Sequence, residues 1–171
     1  SFWMKGEFKT AADYILKNLD IQKGLDNKEG MATSYNNLGL VYREYGNYGL
    51  AIEYFISSIK LSEELGNEIG VATAYNNIGL IHLGSKDYDK ANENFDKALA
   101  IYDKANHIKG KGTVLNNIGT VYLEQRNISK AHHYFELATI ESKAATDIQN
   151  LANALLNIGS VHYYMADSVQ K

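Results

Sequence analysis

YNNIG, residues 75–79, is an awkward pentapeptide for a helix, yet the chain repeats it. YNNLG stands at 35–39, LNNIG at 115–119 and LLNIG at 155–159. Asn is a mediocre helix former, and Gly in a helix interior costs about 1 kcal/mol relative to Ala. Gly39, Gly79, Gly119 and Gly159 are 40 residues apart, and so are Leu38, Ile78, Ile118 and Ile158. Further out, Phe8, Tyr48 and Tyr88 keep the step, with Ile128 replacing the ring in the last copy. Ala11, Ala51, Ala91 and Ala131 keep it as well, as do Phe55, Phe95 and Phe135. One inserted residue would rotate the rest of a helix by about 100°, so an unbroken register implies that the copies stack.

Each period reads as two helices. Over 68–84, Tyr75, Ile78, Gly79 and His82 recur at the spacing of one helical face, and over 88–105 Tyr88, Ala91, Phe95, Ala98, Leu99 and Tyr102 do the same. Short polar breaks separate the helices, EYGN at 44–47 and LGN at 65–67. Gly66 suits the left-handed position after a helix, and Asn67 suits the cap of the next. Gly30, Gly70 and Gly110 fall early in the first helix of a unit, where a missing side chain costs less. The chain has no Pro, which agrees with long uninterrupted helices.

Composition excludes several functions. The 171 residues are 45% hydrophobic and 22% charged, a globular balance. Without Cys there is neither a disulfide framework nor a thiolate metal site. A net charge of -3 gives no electrostatic reason to expect nucleic acid or an anionic membrane as partner. No apolar run approaches the roughly 18 residues of a membrane span, and no signal-peptide pattern opens the chain, so no membrane insertion is expected. The compartment stays open between cytoplasm and bacterial periplasm. His82 and His162 occupy the place of Tyr42 and Tyr122 and read as packing residues. His132 and His133 are adjacent on a helix and point about 100° apart, a poor geometry for one metal. NIS at 127–129 matches a glycosylation sequon, a short match of little weight. No nucleophile–base order, phosphate loop or HExxH is present, so no enzyme activity and no cofactor is expected.

Helix pairs with this pattern resemble the tetratricopeptide repeat. Its bulky residue, Leu-Gly, aromatic, Ala and Phe are met by Tyr35, Leu38, Gly39, Tyr42, Tyr48, Ala51 and Phe55. Tyr75, Ile78, Gly79, Tyr88, Ala91 and Phe95 meet it again, as do Ile118, Gly119, Tyr122, Ala131 and Phe135. The usual period is about 34 residues. The extra residues fall between Ser58 and Tyr75, lengthening both helices by about a turn. The family's customary Pro would land at Glu63, inside that extension. Forty-residue repeats of this sort are similar to those of kinesin light chains, Pins-type adaptors, Rap-type regulators and sensor regions of bacterial histidine kinases.

The resemblance implies an all-α, right-handed superhelical solenoid of about eight helices in antiparallel pairs. Its units are 28–67, 68–107 and 108–147, flanked by a partial unit at 1–27 and another at 148–171. Phe2 matches Tyr42, so the first residues read as the end of a first-type helix before a second-type helix at about 7–25. At the other end a first-type helix spans 151–166, and DSVQK begins where its partner is due. The expectation is a fragment of a longer array, whose open ends offer a route to homo-oligomers.

In that family the first helices line a concave groove, which makes the asparagines candidates for a peptide-binding site. Asn37, Asn77, Asn117 and Asn157 match the amides that hold extended peptides, with Asn36, Asn76 and Asn116 beside them. Leu40, Leu80, Leu83, Leu123, Tyr163 and Tyr164 supply apolar surface between amides, and Arg43 is nearly the lone cation. A protein or peptide partner is expected, bound through an extended segment or a helix. A ladder of amides bonding along the stack is the competing account, and stacking leaves the second Asn of each copy unexplained. The alternative function is a sensory, regulatory or dimerising region of a bacterial signalling protein, such as a histidine kinase.

Overall fold

From residue 28 onward a helix begins every 20 residues in the structure, a computed structural model that describes residues 2–169 and the side chains of 7–166. The described residues form α1 (Phe2–Gly24), α2 (Lys28–Tyr45), α3 (Tyr48–Glu64), α4 (Glu68–Gly84), α5 (Tyr88–Lys104), α6 (Ile108–Glu124), α7 (Ile128–Ala144) and α8 (Ile148–Val169). No strand occurs among them. The all-α class and the alternating helix pairs are those the sequence implies. Glu63 lies within α3, where the ring of a Pro would clash with the preceding turn.

One joint design explains the 20-residue beat. At positions 26, 46, 66, 86, 106, 126 and 146 the backbone turns left-handed. The next residue donates its N–H to a carbonyl five residues back at 2.8–3.0 Å, as from Asn47 to Tyr42 and from Asn127 to Tyr122. That bond closes the outgoing helix. The side chain of the same residue then accepts an N–H of the incoming helix, as Asn67 does from Gly70 at 2.9 Å. The expectation for Gly66 and Asn67 is met. Five other joints use Asp26, Lys86, Asn106, Arg126 and Thr146 at the left-handed position, where a side chain is disfavoured.

The structure corrects two readings. Gly30, Gly70 and Gly110 are not glycine because the position is cheap. A Cβ on Gly70 would lie 2.8 Å from Asn67 Nδ2 and from Ser62 Oγ, and one on Gly110 would lie 2.6 Å from His107 Nδ1 and from the Tyr102 ring. The capping side chain fills that space. The ends differ as well. α1 is continuous from Phe2, without the expected break near residue 6, and α8 runs on through Ala166 to Val169. The side chain of Phe2 and the last two residues of DSVQK lie outside the described residues.

The chain divides into two compact units, residues 1–81 and 82–171. In unit 1, α2 packs against α1 and α3. Ala12, Leu19 and Leu38 are buried there, with Ile15, Tyr35, Tyr42 and Tyr54 against them. In unit 2, α6 and α8 flank α7 around Ala131, Phe135 and Val161, and around Leu115, Ala138 and Ala154. The repeated Gly and Phe are halves of one device. A Cβ on Gly39 would sit 2.6 Å from the fully buried Phe55 ring, and one on Gly119 would sit 2.6 Å from Phe135. A tyrosine pair lies beside each, Tyr42 on Tyr54 with ring centroids 5.5 Å apart and Tyr122 on Tyr134 at 5.4 Å. Burial pushes the phenols of Tyr54 and Tyr134 up.

Candidate functional site

The first-type helices α2 and α4 of unit 1 carry Asn36, Asn37, Leu40, Arg43, Asn76, Asn77 and Leu80. Asn37 is exposed, Asn36 and Asn76 are half-buried, and Asn77 is only 7% exposed. Asn77 Nδ2 donates to Asn36 Oδ1 at 3.4 Å, while Asn77 Oδ1 accepts from Arg43 Nη1 at 3.4 Å. Arg43 also donates to Glu44 Oε1 at 2.8 Å. The result is a polar chain from Glu44 through Arg43 and Asn77 to Asn36. Its inner bonds are long, at the weak end of the hydrogen-bond range.

Unit 2 carries the same motif with different company. Asn157 Nδ2 on α8 donates to Asn116 Oδ1 on α6 at 3.0 Å. Leu123 stands where unit 1 has Arg43, and it packs against the Phe135 cluster. Asn117 and Leu83 are half-buried. Further along α8, Leu156 and Tyr163 are each 71% exposed, and the Arg126 guanidinium lies 4.7 Å from the Tyr164 ring centre.

These bonds correct the view that stacking leaves the second Asn unexplained. In both units a second-position Asn reaches the first-position Asn 41 residues earlier. A wheel drawn for one helix shows faces but not adjacency between helices, so this register was not legible. The apolar floor also changes, since Leu123 belongs partly to the core. The two placed pairs are ladders, yet each bond uses only one of the two N–H groups and one lone pair of the amides involved.

The remaining candidates form no reactive constellation. His82 is half-buried as expected, but His162 is exposed and meets His132 edge-on at 5.4 Å. Tyr42 and Tyr122 are covered by the helix that follows theirs, and His162 sits on the last described helix. Among the described residues no three of His, Asp and Glu group to hold a metal ion, and no helix is long and apolar enough to cross a membrane. The perturbed charges serve structure. Lys111 is held charged by Asp103 at 2.7 Å and Glu141 at 3.1 Å, which raises its pKa. Asp147 is pulled below the usual carboxylate range, first by the backbone N–H of Asn150 and then by Lys109.

Comparison with known proteins agrees with this architecture. The sequence model of the tetratricopeptide repeat matches residues 1–64 and 70–139. No curated protein matches the chain. Among solved structures, the chain is similar to BtubC (BKLC) from P. vanneervenii at 22% identity and a TM-score of 0.80, over 96% of this chain and 69% of that one. The apo form of RapI gives 17% identity and a TM-score of 0.82, over 96% of this chain and 46% of the other. A Signal Transduction ATPase with Numerous Domains from Pyrococcus horikoshii, which has a tetratricopeptide repeat sensor, gives 20% identity and a TM-score of 0.74. That match covers 92% of this chain and 24% of the ATPase. The chain therefore spans less than half the length of two of these three proteins.

Proposed function

Because the chain belongs to the tetratricopeptide repeat family, we propose that it is a non-catalytic module that holds an extended segment of a protein partner along its asparagine-bearing helices. Proteins of this family are generally protein–protein interaction scaffolds without chemistry of their own. The observation that carries the finer reading is the incomplete satisfaction of the amides. Asn36, Asn116 and Asn157 are half-buried, Asn37 is exposed, and the two pairs leave donors and lone pairs over. A primary amide offers both donors and acceptors, so such a row matches the alternating N–H and C=O of an extended backbone whatever its side chains. Within unit 1 Leu40 and Leu80, and within unit 2 the exposed Leu156 and Tyr163, give apolar side chains of a bound segment somewhere to rest.

Selection of a random displayed peptide library on the chain, followed by calorimetric titration, tests this reading. Asn37→Ala removes an exposed amide, so it should weaken a selected peptide about two- to tenfold without moving the melting temperature. Failure to select any binder, or equal affinity of the variant for every selected peptide, contradicts it. A second reading, a regulatory region of a signalling protein, draws on the fold shared with a repeat described as a sensor. A kinase or ATPase region encoded in the same gene would favour it.

A further inference from the structure

A cleft of about 240 Å³ opens in unit 1 between α2 and α4, with Ser58 and Ser62 of α3 among the residues that line it. Glu29, Thr33 and Asn36 line it from α2, and Asn67, Ile69, Gly70 and Thr73 from the other side. Its polar groups have a definite sense. Thr33 Oγ1 spends its proton on the Glu29 carbonyl at 3.0 Å, Thr73 Oγ1 on Ile69 at 2.8 Å, and Ser58 Oγ on Ala32 at 2.9 Å. A hydroxyl that spends its proton on a backbone carbonyl has only lone pairs left to offer. Asn67 Oδ1 is held by the Gly70 N–H. Lys28, the cation nearest in sequence, is engaged by Glu64 at 2.8 Å, so it does not neutralise Glu29. The Thr33 hydroxyl thus turns lone pairs toward the cleft beside the Glu29 carboxylate. Asn36 and Asn67, whose oxygens are taken by Asn77 and Gly70, offer amide N–H groups, and Ala32 and Ile69 form an apolar wall.

Unit 2 shows what such a cleft takes. At the place of Gly70 stands Asn150, whose Nδ2 donates to Thr113 Oγ1 at 2.7 Å and to Asp147 Oδ2 at 2.9 Å. Thr113, the counterpart of Thr33, likewise donates to a carbonyl of its own helix, from Lys109 at 3.1 Å. Lys109 replaces Glu29 and its ammonium lies 3.5 Å from Asp147. The second copy thus fills the equivalent space with its own N–H donors and its own cation. The first copy has glycine and glutamate in those two places.

We propose that the unit 1 cleft is a binding site for a basic side chain, a lysine or arginine of the bound segment. Its methylenes run along Ala32 and Ile69, and its N–H donors meet Glu29 and the Thr33 hydroxyl. The biological ligand rests on the peptide-binding reading above, but the chemistry of the cleft can be tested apart from it.

Backbone amide spectra of the full chain, recorded during titration with N-acetyl-lysine N-methylamide, should show saturable shifts at Thr33, Asn36 and Gly70. The norleucine analogue, which keeps the methylenes and lacks the ammonium, should leave them in place. Glu29→Gln should weaken the lysine probe about tenfold, and Thr33→Val, which removes the outward lone pairs at constant shape, should weaken it as well. Equal binding of the norleucine analogue, or an undiminished affinity in Glu29→Gln, overturns the proposal. Selected peptides that need Asn37 but carry no basic residue would sink the cleft and leave the peptide reading standing. Lysine binding in the cleft with no selectable peptide would do the reverse.

Discussion

Unit 1 caps its helix joints with asparagine throughout, at Asn27, Asn47 and Asn67, whereas unit 2 uses Asp87, His107, Asn127 and Asp147. The amide pair sits beside Arg43 in the first and beside Leu123 in the second. The cleft between first-type helices is open at Gly70 and plugged at Asn150. Beneath these differences the Gly39–Phe55 and Gly119–Phe135 contacts are nearly superimposable in distance. Packing between paired helices is fixed by sterics and admits little variation. The asparagine-bearing face of the first-type helices and the caps are where the copies diverge, which is where recognition has room to act.

The largest test of that contrast is at the repeated glycine. Gly39→Ala and Gly119→Ala push a methyl into a buried ring and should each destabilise by about 1–3 kcal/mol in urea unfolding. Gly159→Ala meets nothing within 4 Å and should instead stabilise by about 0.5–1 kcal/mol through helix propensity. Similar losses at all three positions would show that the glycine answers to something other than the ring.

A smaller effect separates the caps. The folded Asp147 carboxyl is held below its unfolded value of about 3.9. It therefore contributes stability above that pH, and the contribution is lost as pH falls through the depressed folded value. Asp87, lowered chiefly by its bond with Lys90, acts in the same direction. Asn67, at the corresponding joint of unit 1, does not titrate. The urea midpoint of wild type should exceed that of Asp147→Asn at pH 6, and the two should converge as the pH drops to the depressed value. A difference independent of pH would mean that the charge of Asp147 has no part in the cap.

Much of the fold was legible because the period is strict and because Gly66 and Asn67 have unambiguous joint chemistry. The other joints were harder to read. Lys86, Arg126 and Thr146 carry no left-handed signal of their own, and their conformation is imposed by the bond that closes each preceding helix. The ends were misread because the repeat register predicts a break near residue 6 and another near 166. Neither place has a left-handed turn, and the helices continue. At the candidate site the sequence showed which residues share a face. It did not show that Asn77 reaches Asn36, that Arg43 completes the chain, or that Asn150 and Gly70 decide between a plugged and an open cleft. Those facts depend on which helices become neighbours, and a single-helix wheel does not contain that information.

The central claim is that the asparagine-bearing face binds a partner and that its amide pairs are not only stacking bonds. It is tested most directly in unit 2 with Asn116→Ala combined with Asn157→Ala, measuring melting temperature and affinity for a selected peptide on the same samples. Removing both partners leaves neither amide orphaned, so stability should change little, a shift of about 2 °C or less. The affinity should fall about tenfold or more. A large drop in melting temperature with the affinity unchanged would contradict the account and leave the asparagines as a ladder alone.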